Sequence, residues 1–328
     1  MKLFWKEVLA CSLMGLVVPG IMLKLPEVLG KLEPVETIST VLEAPTEIPE
    51  TTVPAETMSL LLADGPREVM EMEDYLVGVV LAEMPAYFES EALKAQSVAA
   101  RTYTRKAQET GLRHDGSLCT DYACCQAYIS EEEYLAKGGN EESVDKIRQA
   151  VAETAGLVLT YEGELIEATY FSCSGGSTEE AAAVWGADYP YLQAVASPGE
   201  ENAEFFTDTV TFTPEQFNKA LGTELKGDPA TWIGASTATP GGGVDVIHIG
   251  GKSYEGRILR KLLGLRSTAF TMTGGEGGIT VTTRGFGHRV GMSQYGADAM
   301  AASGHDFREI LSHYYPGTTL EMTEESIA

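Results

Sequence analysis

The sequence "LVGVVLAEMPAYF" (residues 76–88) places a single glutamate inside an apolar run. Helical spacing of three and four residues puts Glu83 on the same face as Leu76 and Val80. Pro85 predicts the end of this helix, because the residue before a proline disfavours helical geometry. Glu83 is therefore predicted to lie in the final turn of a helix whose apolar face packs into the core.

Two interpretations of Glu83 are open. The unsatisfied carbonyl groups at a helix C-terminus disfavour a negative charge, and apolar neighbours disfavour it by desolvation. Both effects raise the pKa of a carboxyl group, as a general acid at neutral pH requires. The alternative is a structural carboxylate that is paired with Arg101 or another cation, since ion pairs also perturb pKa values.

The composition limits the partners of the chain. Its 328 residues include 23 basic and 48 acidic side chains, which gives a formal net charge of −25. This length suffices for one large domain or two ordinary ones. The negative charge argues against nucleic acid and against anionic membrane surfaces as partners.

The N-terminal part of the chain is typical of a membrane anchor followed by a spacer. Residues 1–24 begin with lysines and continue as an apolar run, which indicates an uncleaved signal anchor. Residues 25–58 are acidic, rich in proline and threonine, and too polar to form a core. We therefore expect a single-pass protein of the cell membrane, with a disordered spacer that leads to an extracytoplasmic domain.

Residues 59–322 are predicted to form the folded domain, with an α+β architecture. Helical periodicity continues after residues 76–88. Alternation typical of strands appears in "GLVLTYEGELIEATYFSCSGG" (residues 156–176), where a Glu-Gly pair predicts a turn between two strands. Within the domain, residues 205–283 mix strand-like runs with one or two short helices. They are predicted to form a β-rich subdomain.

Two glycine-rich stretches favour a binding site for a sugar polymer. In "RGFGHRVGMSQYGA" (residues 284–297), four glycines allow a ligand to approach the backbone closely, and His288 stands among them. In "YFSCSGGST" (residues 170–178), hydroxyl groups precede the aromatic residues Trp185 and Tyr189. The alternatives are a glycine turn with a satisfied histidine in the first stretch and a bare turn in the second.

The stretch "HDGSLCTDYACCQAY" (residues 114–128) has a composition that suits a metal site. His114, Cys119 and Cys125 (or Cys124) offer imidazole and thiolate ligands for tetrahedral zinc. A zinc site built by a surface loop is more typical of a structural than of a catalytic role. The alternative is a local disulfide in an oxidising compartment.

Taken together and in this order, these stretches resemble the stage II sporulation protein D family. The resemblance rests on "VGVVLAEMP", "EALKAQSVAARTYT", "CTDYACCQAY", "YFSCSGGSTEEAAAVWGADYPYLQAV" and "RGFGHRVGMSQYGADAMAASGHDFREILSHYYPGT". It implies a membrane-anchored lytic transglycosylase that degrades peptidoglycan during engulfment in an endospore-forming bacterium, with a glycan-binding cleft. It also implies a preference for glycan strands stripped of stem peptides, and as partners a stage II sporulation protein P type amidase and the membrane proteins of engulfment.

The resemblance also assigns roles to residues. It implies that Glu83 is the catalytic acid and that zinc, where bound, is held by Cys119 and Cys125 with His114. It implies glycan binding by a set of polar residues and one glycine: Gln96, Arg101, Tyr170, Ser172, Ser174, Gly175, His288, Ser293 and Gln294.

Two positions depart from the family pattern. Arg289 stands where the family has a glycine after His288, which affects the expected shape of the glycan groove. Cys173 stands where serine or threonine is commoner and is a further candidate metal ligand.

The expected chemistry has two rivals. Glycoside hydrolases usually need two carboxylates, whereas a lytic transglycosylase can work with Glu83 alone. The first rival is a non-catalytic wall-binding protein that enhances an amidase. The second is a zinc amidase acting on the stem peptide, although the cysteine loop lacks the His and Glu set usual for such enzymes.

Overall fold

The computed structural model describes residues 56–62, 67–111, 114, 117–122 and 124–323. The predicted anchor (residues 1–24) and most of the predicted spacer (residues 25–58) lie outside these residues. Within the part that is described, no helix has both the length and the apolar character needed to cross a membrane.

The described residues form helices and several small sheets, which confirms the predicted α+β class. The helices are α1 (Met72–Glu83), α2 (Ser90–Thr110), α3 (Glu131–Ala136), α4 (Glu141–Ala152), α5 (Ala181–Trp185), α6 (Pro214–Leu221), α7 (Gly256–Leu263), α8 (Gln294–Ala302) and α9 (Phe307–Tyr314). The strands are β1 (Thr57–Leu61), β2 (Arg67–Glu71), β3 (Leu118–Cys119), β4 (Leu157–Tyr161), β5 (Glu164–Leu165), β6 (Tyr170–Phe171), β7 (Thr207–Phe212), β8 (Ile233–Ala238), β9 (Val244–Ile249), β10 (Lys252–Glu255), β11 (Phe270–Gly275), β12 (Gly278–Arg284), β13 (Met292–Ser293) and β14 (Thr319–Met322).

The main core packs around the long helix α2. Its small buried residues, among them Ala95 and Ala99, let α1, α4, α8 and α9 approach closely. Gly111 ends the helix in the left-handed conformation, with φ of 59°. Around this core lie three of the sheets: β2–β1–β3, β13–β6 and β14–β4–β5.

The predicted Glu-Gly turn joins β4 to β5. Glu162 and Gly163 both have positive φ, at 53° and 83°, as a two-residue turn that matches the twist of a hairpin requires. The other edge of β4 is covered by β14, in antiparallel register with Thr319 opposite Thr160. Strand β14, near the C-terminus, therefore completes the sheet that β4 and β5 form near the middle of the sequence.

A second hydrophobic core lies within residues 207–284, which nearly coincide with residues 205–283, the segment predicted to be β-rich. Two antiparallel sheets, β11–β12–β7 and β10–β9–β8, and the helices α6 and α7 contribute to it. Phe217, Leu259 and Val281 are completely buried there. The exact domain boundaries stay predictions.

The buried residue Arg289 joins the second segment to the main body. Its guanidinium lies 3.0 Å from Glu179 and donates to the carbonyl oxygens of Ser174, Ser177 and Gly241. The backbone at Arg289 has φ of 67°, a conformation that glycine adopts without strain. An arginine therefore stands at a glycine-type position, and its side chain points into the protein rather than into a ligand groove.

Candidate active site

Two cavities meet at the C-terminal end of α1. The larger one has a volume of about 880 Å³ and is lined by the end of α1, α2, the cysteine loop, β6, Trp185, residues 286–288 and α7. The smaller one has a volume of about 310 Å³. Glu83, Ser172 and Gln294 line both cavities. The predicted catalytic residue therefore lies where a long ligand would pass from one cavity to the other.

Glu83 is the last residue of α1, as the sequence predicts, and each carboxylate oxygen accepts one hydrogen bond. The backbone N–H of Ala127 donates to Oε1 over 3.0 Å, and Gln294 Nε2 donates to Oε2 over 3.3 Å. Burial raises the pKa of Glu83 and outweighs the lowering by these two donors. None of the described ion pairs includes Glu83, and Arg101 does not reach it.

The cysteine loop holds the ring of Tyr170 beside Glu83. Gln126 donates to Tyr75 and Thr104 and accepts from the Tyr170 hydroxyl over 2.7 Å. Burial, followed by the nearby charge of Glu83, raises the pKa of Tyr170 well above its usual value. Tyr170 is therefore a neutral hydroxyl in this wall of the cavity.

His288 forms part of the opposite wall, among aromatic rings. Its ring centroid lies 5.3 Å from that of Trp185 and 5.6 Å from that of Phe171. Burial and the charge of Arg260 lower the pKa of His288 to about 4. The Val290 N–H donates to Nδ1, so the neutral ring carries its proton on Nε2.

Of the predicted glycan-binding residues, four line the larger cavity: Tyr170, Ser172, His288 and Gln294. The other five do not line either cavity: Gln96, Arg101, Ser174, Gly175 and Ser293. Arg101, Ser174, Gly175 and Ser293 have described contacts inside the protein, whereas Gln96 is buried without a described hydrogen-bond partner.

Arg101 is an internal ion-pair partner. Its side chain is 1% exposed and binds both carboxylate oxygens of Glu73, at 2.9 and 2.6 Å. It also donates to the carbonyl oxygen of Leu157. Gln96 is completely buried on the same helix, and its amide has no hydrogen-bond partner among the described atoms. The prediction that they bind glycan overlooked the burial of this face of α2.

Ser174, Gly175 and Ser293 surround a buried carboxylate, Glu200. Its Oε2 accepts from Cys173 Sγ, from Ser174 N and Oγ, and from Gly175 N, while Oε1 accepts from the hydroxyls of Ser197 and Ser293. Glu200 therefore holds together the loops that carry Ser174, Gly175 and Ser293. Cys173 belongs to this cluster, so it is not a ligand of the metal site predicted in the cysteine loop.

Gly175 is needed for close packing of two loops. It has φ of 70°, and a Cβ atom there would lie 2.7 Å from the backbone of Arg284 and Gly285. The backbone that approaches Gly175 closely is thus the protein's own rather than that of a ligand.

The predicted metal ligands are brought together, and Cys124 joins them. The ligand atoms of His114, Cys119, Cys124 and Cys125 all lie within 4.8 Å of one another, and the described cysteines are free thiols. Cys124 Sγ lies 3.4 Å from His114 Nε2 and 3.9 Å from Cys125 Sγ. Tetrahedral zinc with Zn–S bonds of about 2.3 Å places its ligand sulfurs roughly 3.8 Å apart. The four residues therefore fit zinc as a closed Cys₃His site.

Among the lining residues of the larger cavity that sequence reasoning missed are Gln126, Glu167 and Arg260. Gln126 directly follows the paired cysteines, so the metal motif was the signal that could have drawn attention to it. Glu167 and Arg260 carry no local signal, because only the fold brings them to the cavity. Trp185 and Tyr189, whose aromatic rings suggested a sugar site, do line it.

Comparisons with known proteins identify the family to which this chain is similar. The family model "SpoIID: Stage II sporulation protein" matches residues 65–161. The chain is similar to stage II sporulation protein D of Bacillus amyloliquefaciens, with 41% identity over 80% of this chain and 77% of that protein. It is 43% identical to stage II sporulation protein D of Bacillus subtilis, over 77% of this chain and 75% of the relative. An amidase enhancer of Bacillus subtilis is 30% identical over 75% of this chain and 40% of its own length.

Proposed function

The chain belongs to the stage II sporulation protein D family, and we propose that it is a peptidoglycan lytic transglycosylase of endospore formation. Family membership supports a role in sporulation and an action on the cell wall. The observation that carries the activity is the position of Glu83. It is a carboxyl group with a burial-raised pKa and no described cationic partner, and it lies where two cavities meet.

In the proposed reaction, Glu83 starts in its protonated form. It donates its proton to the oxygen that joins N-acetylmuramic acid to N-acetylglucosamine, while the bond from that oxygen to C1 of the muramic residue breaks. The resulting carboxylate accepts the proton of the muramic C6 hydroxyl, whose oxygen bonds to C1. The products are a 1,6-anhydro end and a free N-acetylglucosamine 4-hydroxyl. Glu83 is protonated again, and no water is consumed.

The neighbours of Glu83 support both protonation states. The Ala127 N–H and the Gln294 amide orient the carboxyl group without neutralising its charge. They hold the carboxylate between the two proton transfers. The proton of the C6 hydroxyl restores the acid form, which burial favours. The cavities on either side of Glu83 suit a polymer that is cut internally, because sugar units can bind on both sides of the broken bond.

We propose that the Cys₃His cluster binds a structural zinc ion. Zinc would be held by His114, Cys119, Cys124 and Cys125, and it would supply a rigid cross-link within the loop. Residues 126 and 127, which follow the cluster directly, contact Tyr170 and Glu83. The cluster therefore acts on the chemistry by fixing the loop, and the reaction itself needs no metal.

We further propose that the anchor predicted in residues 1–24 holds the protein at the cell membrane, with the catalytic domain outside the cytoplasm. The partners are peptidoglycan glycan strands, an amidase of the stage II sporulation protein P type that removes stem peptides, and membrane proteins of engulfment. Fractionation of sporulating cells, with protease added to intact protoplasts, tests this location. Protection of the domain from the protease would contradict it.

Product analysis tests the activity. Full-length protein purified in detergent is incubated with peptide-free glycan strands, and the products are identified by mass spectrometry. We expect 1,6-anhydromuramic ends. Reducing ends formed by water attack would contradict the mechanism and would implicate Glu167, the other carboxylate that lines the larger cavity, as a second catalytic group. Loss of water-derived ends in Glu167→Gln would then identify it.

The similarity to an amidase enhancer supports one alternative, a wall-binding protein that stimulates an amidase without cutting glycan. The transglycosylase function requires the Glu83 carboxyl group, whereas the enhancer function does not. Amidase stimulation that persists fully in Glu83→Gln, together with binding of glycan but no glycan cleavage by the unmodified protein, would favour the enhancer function.

A further inference from the structure

The larger cavity is lined by an arginine, Arg260, for which the described residues provide no acidic partner. Arg260 extends from α7 and lines the cavity with its side chain half-buried. Its guanidinium donates one described hydrogen bond, a long one of 3.4 Å from Nε to the Leu265 carbonyl oxygen. No described carboxylate pairs with it, although the chain has 48 acidic residues. Arg257, one turn earlier on the same helix, is exposed and paired with Glu255 at 2.6 Å.

Burial of this guanidinium has an electrostatic cost that no described carboxylate offsets. Desolvation lowers the pKa of Arg260, and no carboxylate acts in the opposite direction. An arginine nevertheless stays charged in a protein. Glu83 and Glu167 line the same cavity, but neither forms a described ion pair with Arg260. A half-buried cation that faces a cavity and has no described carboxylate partner is therefore set up to bind an anion from outside.

The groups next to Arg260 favour a sugar as the carrier of that anion. His288, which senses the charge of Arg260, is neutral and so adds no second cation. Its ring lies against Trp185, which is 44% exposed. An exposed indole face packs well against the C–H face of a sugar ring and leaves the sugar's polar groups free. The wall thus combines an aromatic platform with one positive charge.

We propose that Arg260 binds the carboxylate of an acidic sugar, namely the lactyl group of a peptide-free N-acetylmuramic acid whose ring lies against Trp185. This inference rests on the proposed function, since Arg260 and Glu83 line the same cavity. In intact peptidoglycan the lactyl carboxyl group is bonded to the stem peptide as an amide and carries no charge at that position. Arg260 is therefore a specificity-determining residue that distinguishes stripped glycan from glycan that still carries peptides.

The test compares two glycans that differ only in this charge. Peptide-free strands of one length are divided, and the lactyl groups of one half are converted to neutral methylamides. Cleavage by the full-length protein and binding to the Glu83→Gln variant are measured for both. We expect the free acid to be preferred at least about tenfold, as charge-assisted hydrogen bonds from arginine imply.

Substitutions then assign the preference to one side chain. In Arg260→Gln the ratio between acid and methylamide should fall to about one. Arg260→Lys should keep only part of it, because an ammonium group lacks the two-pronged guanidinium geometry. Arg257→Gln, the matched control, should keep the full ratio.

The outcomes separate this inference from the function on which it rests. Cleavage of both glycans without preference by the unmodified protein would overturn the role of Arg260 and leave the transglycosylase intact, whether or not Arg260→Gln folds. An equal loss on both glycans in Arg260→Gln would also overturn it. An acid preference in binding without any cleavage would instead refute the enzymatic function and keep the binding site.

Discussion

Glu83 and Glu200 are both shielded glutamates, but their surroundings differ. Glu200 is 1% exposed and accepts six hydrogen bonds, four on Oε2 and two on Oε1. Glu83 is only partly covered and accepts one hydrogen bond on each oxygen. A carboxylate that is fully supplied with donors is stable as a charge and organises loops. One that is poorly supplied and desolvated tends to hold a proton, as an acid catalyst must.

The largest effect expected from this difference is on activity. Glu83→Gln should lower glycan cleavage about 10³-fold, within the range of a lost general acid, because the amide cannot donate and regain the proton. Its urea unfolding midpoint should be equal to or above that of the unmodified protein, because a desolvated carboxyl group is removed. Glu71→Gln, at the exposed residue that precedes the first residue of the same helix, is the control. Near-normal cleavage by Glu83→Gln would remove the basis for calling this carboxyl group catalytic.

The second effect is on stability. Glu200→Gln should reduce the free energy of unfolding by about 3 kcal/mol, because an amide nitrogen then faces buried donors that had bound a carboxylate oxygen. Urea titration measures this loss, and cleavage per folded molecule should change little. The adjacent exposed Glu201→Gln should be neutral. If Glu200→Gln is as stable as Glu201→Gln, the cluster around Glu200 is not a structural centre.

Metal removal tests whether the cysteine loop, through the Ala127 N–H, holds Glu83 in position. Chelation of the zinc-loaded protein should lower the melting temperature by roughly 5 °C and also lower activity, because the loop that carries Ala127 loses its cross-link. Zinc content measured by atomic absorption should be lost in Cys124→Ser. It should be kept in Cys173→Ser, which alters a thiol in the Glu200 cluster instead. Equal zinc content in the two variants would disprove the Cys₃His assignment.

The smallest effect is on pH dependence. Cleavage should fall about tenfold per pH unit once the pH exceeds the raised pKa of Glu83, because the acid form is then lost. Native Glu83 keeps its proton where a glutamate in the unfolded chain has lost it. Its contribution to stability therefore falls as pH rises from the ordinary glutamate pKa through the raised one. Glu83→Gln should lack this fall, and an identical pH dependence of unfolding in both proteins would contradict the raised pKa.

The sequence predicts the position of Glu83 at a helix end, because the signals for that position are local. Apolar periodicity and Pro85 place it at the end of a helix, and the helix ends there. The paired cysteines predict a metal site for the same reason, since His114 is only ten residues from Cys124. The α+β class likewise follows from short-range patterns.

The predictions that the structure does not support concern residues whose partners are far along the chain. Arg101 pairs with Glu73, 28 residues away, and Ser293 bonds Glu200, 93 residues away. Glu200 itself lies in a polar loop that looks solvent-exposed in sequence. Serines beside glycines predict a ligand loop, but nothing in their spacing indicates whether the bound oxygen belongs to a sugar or to the protein's own glutamate.

The pairing of β14 with β4 has a consequence for timing during synthesis. Residues 160 and 319 must meet to complete that sheet, and Gln294 must reach Glu83 across 211 positions. Such distant contacts form only after most of the polypeptide has left the ribosome. An incomplete chain therefore contains Glu83 but lacks Gln294 and the other late residues that complete the cavities around it.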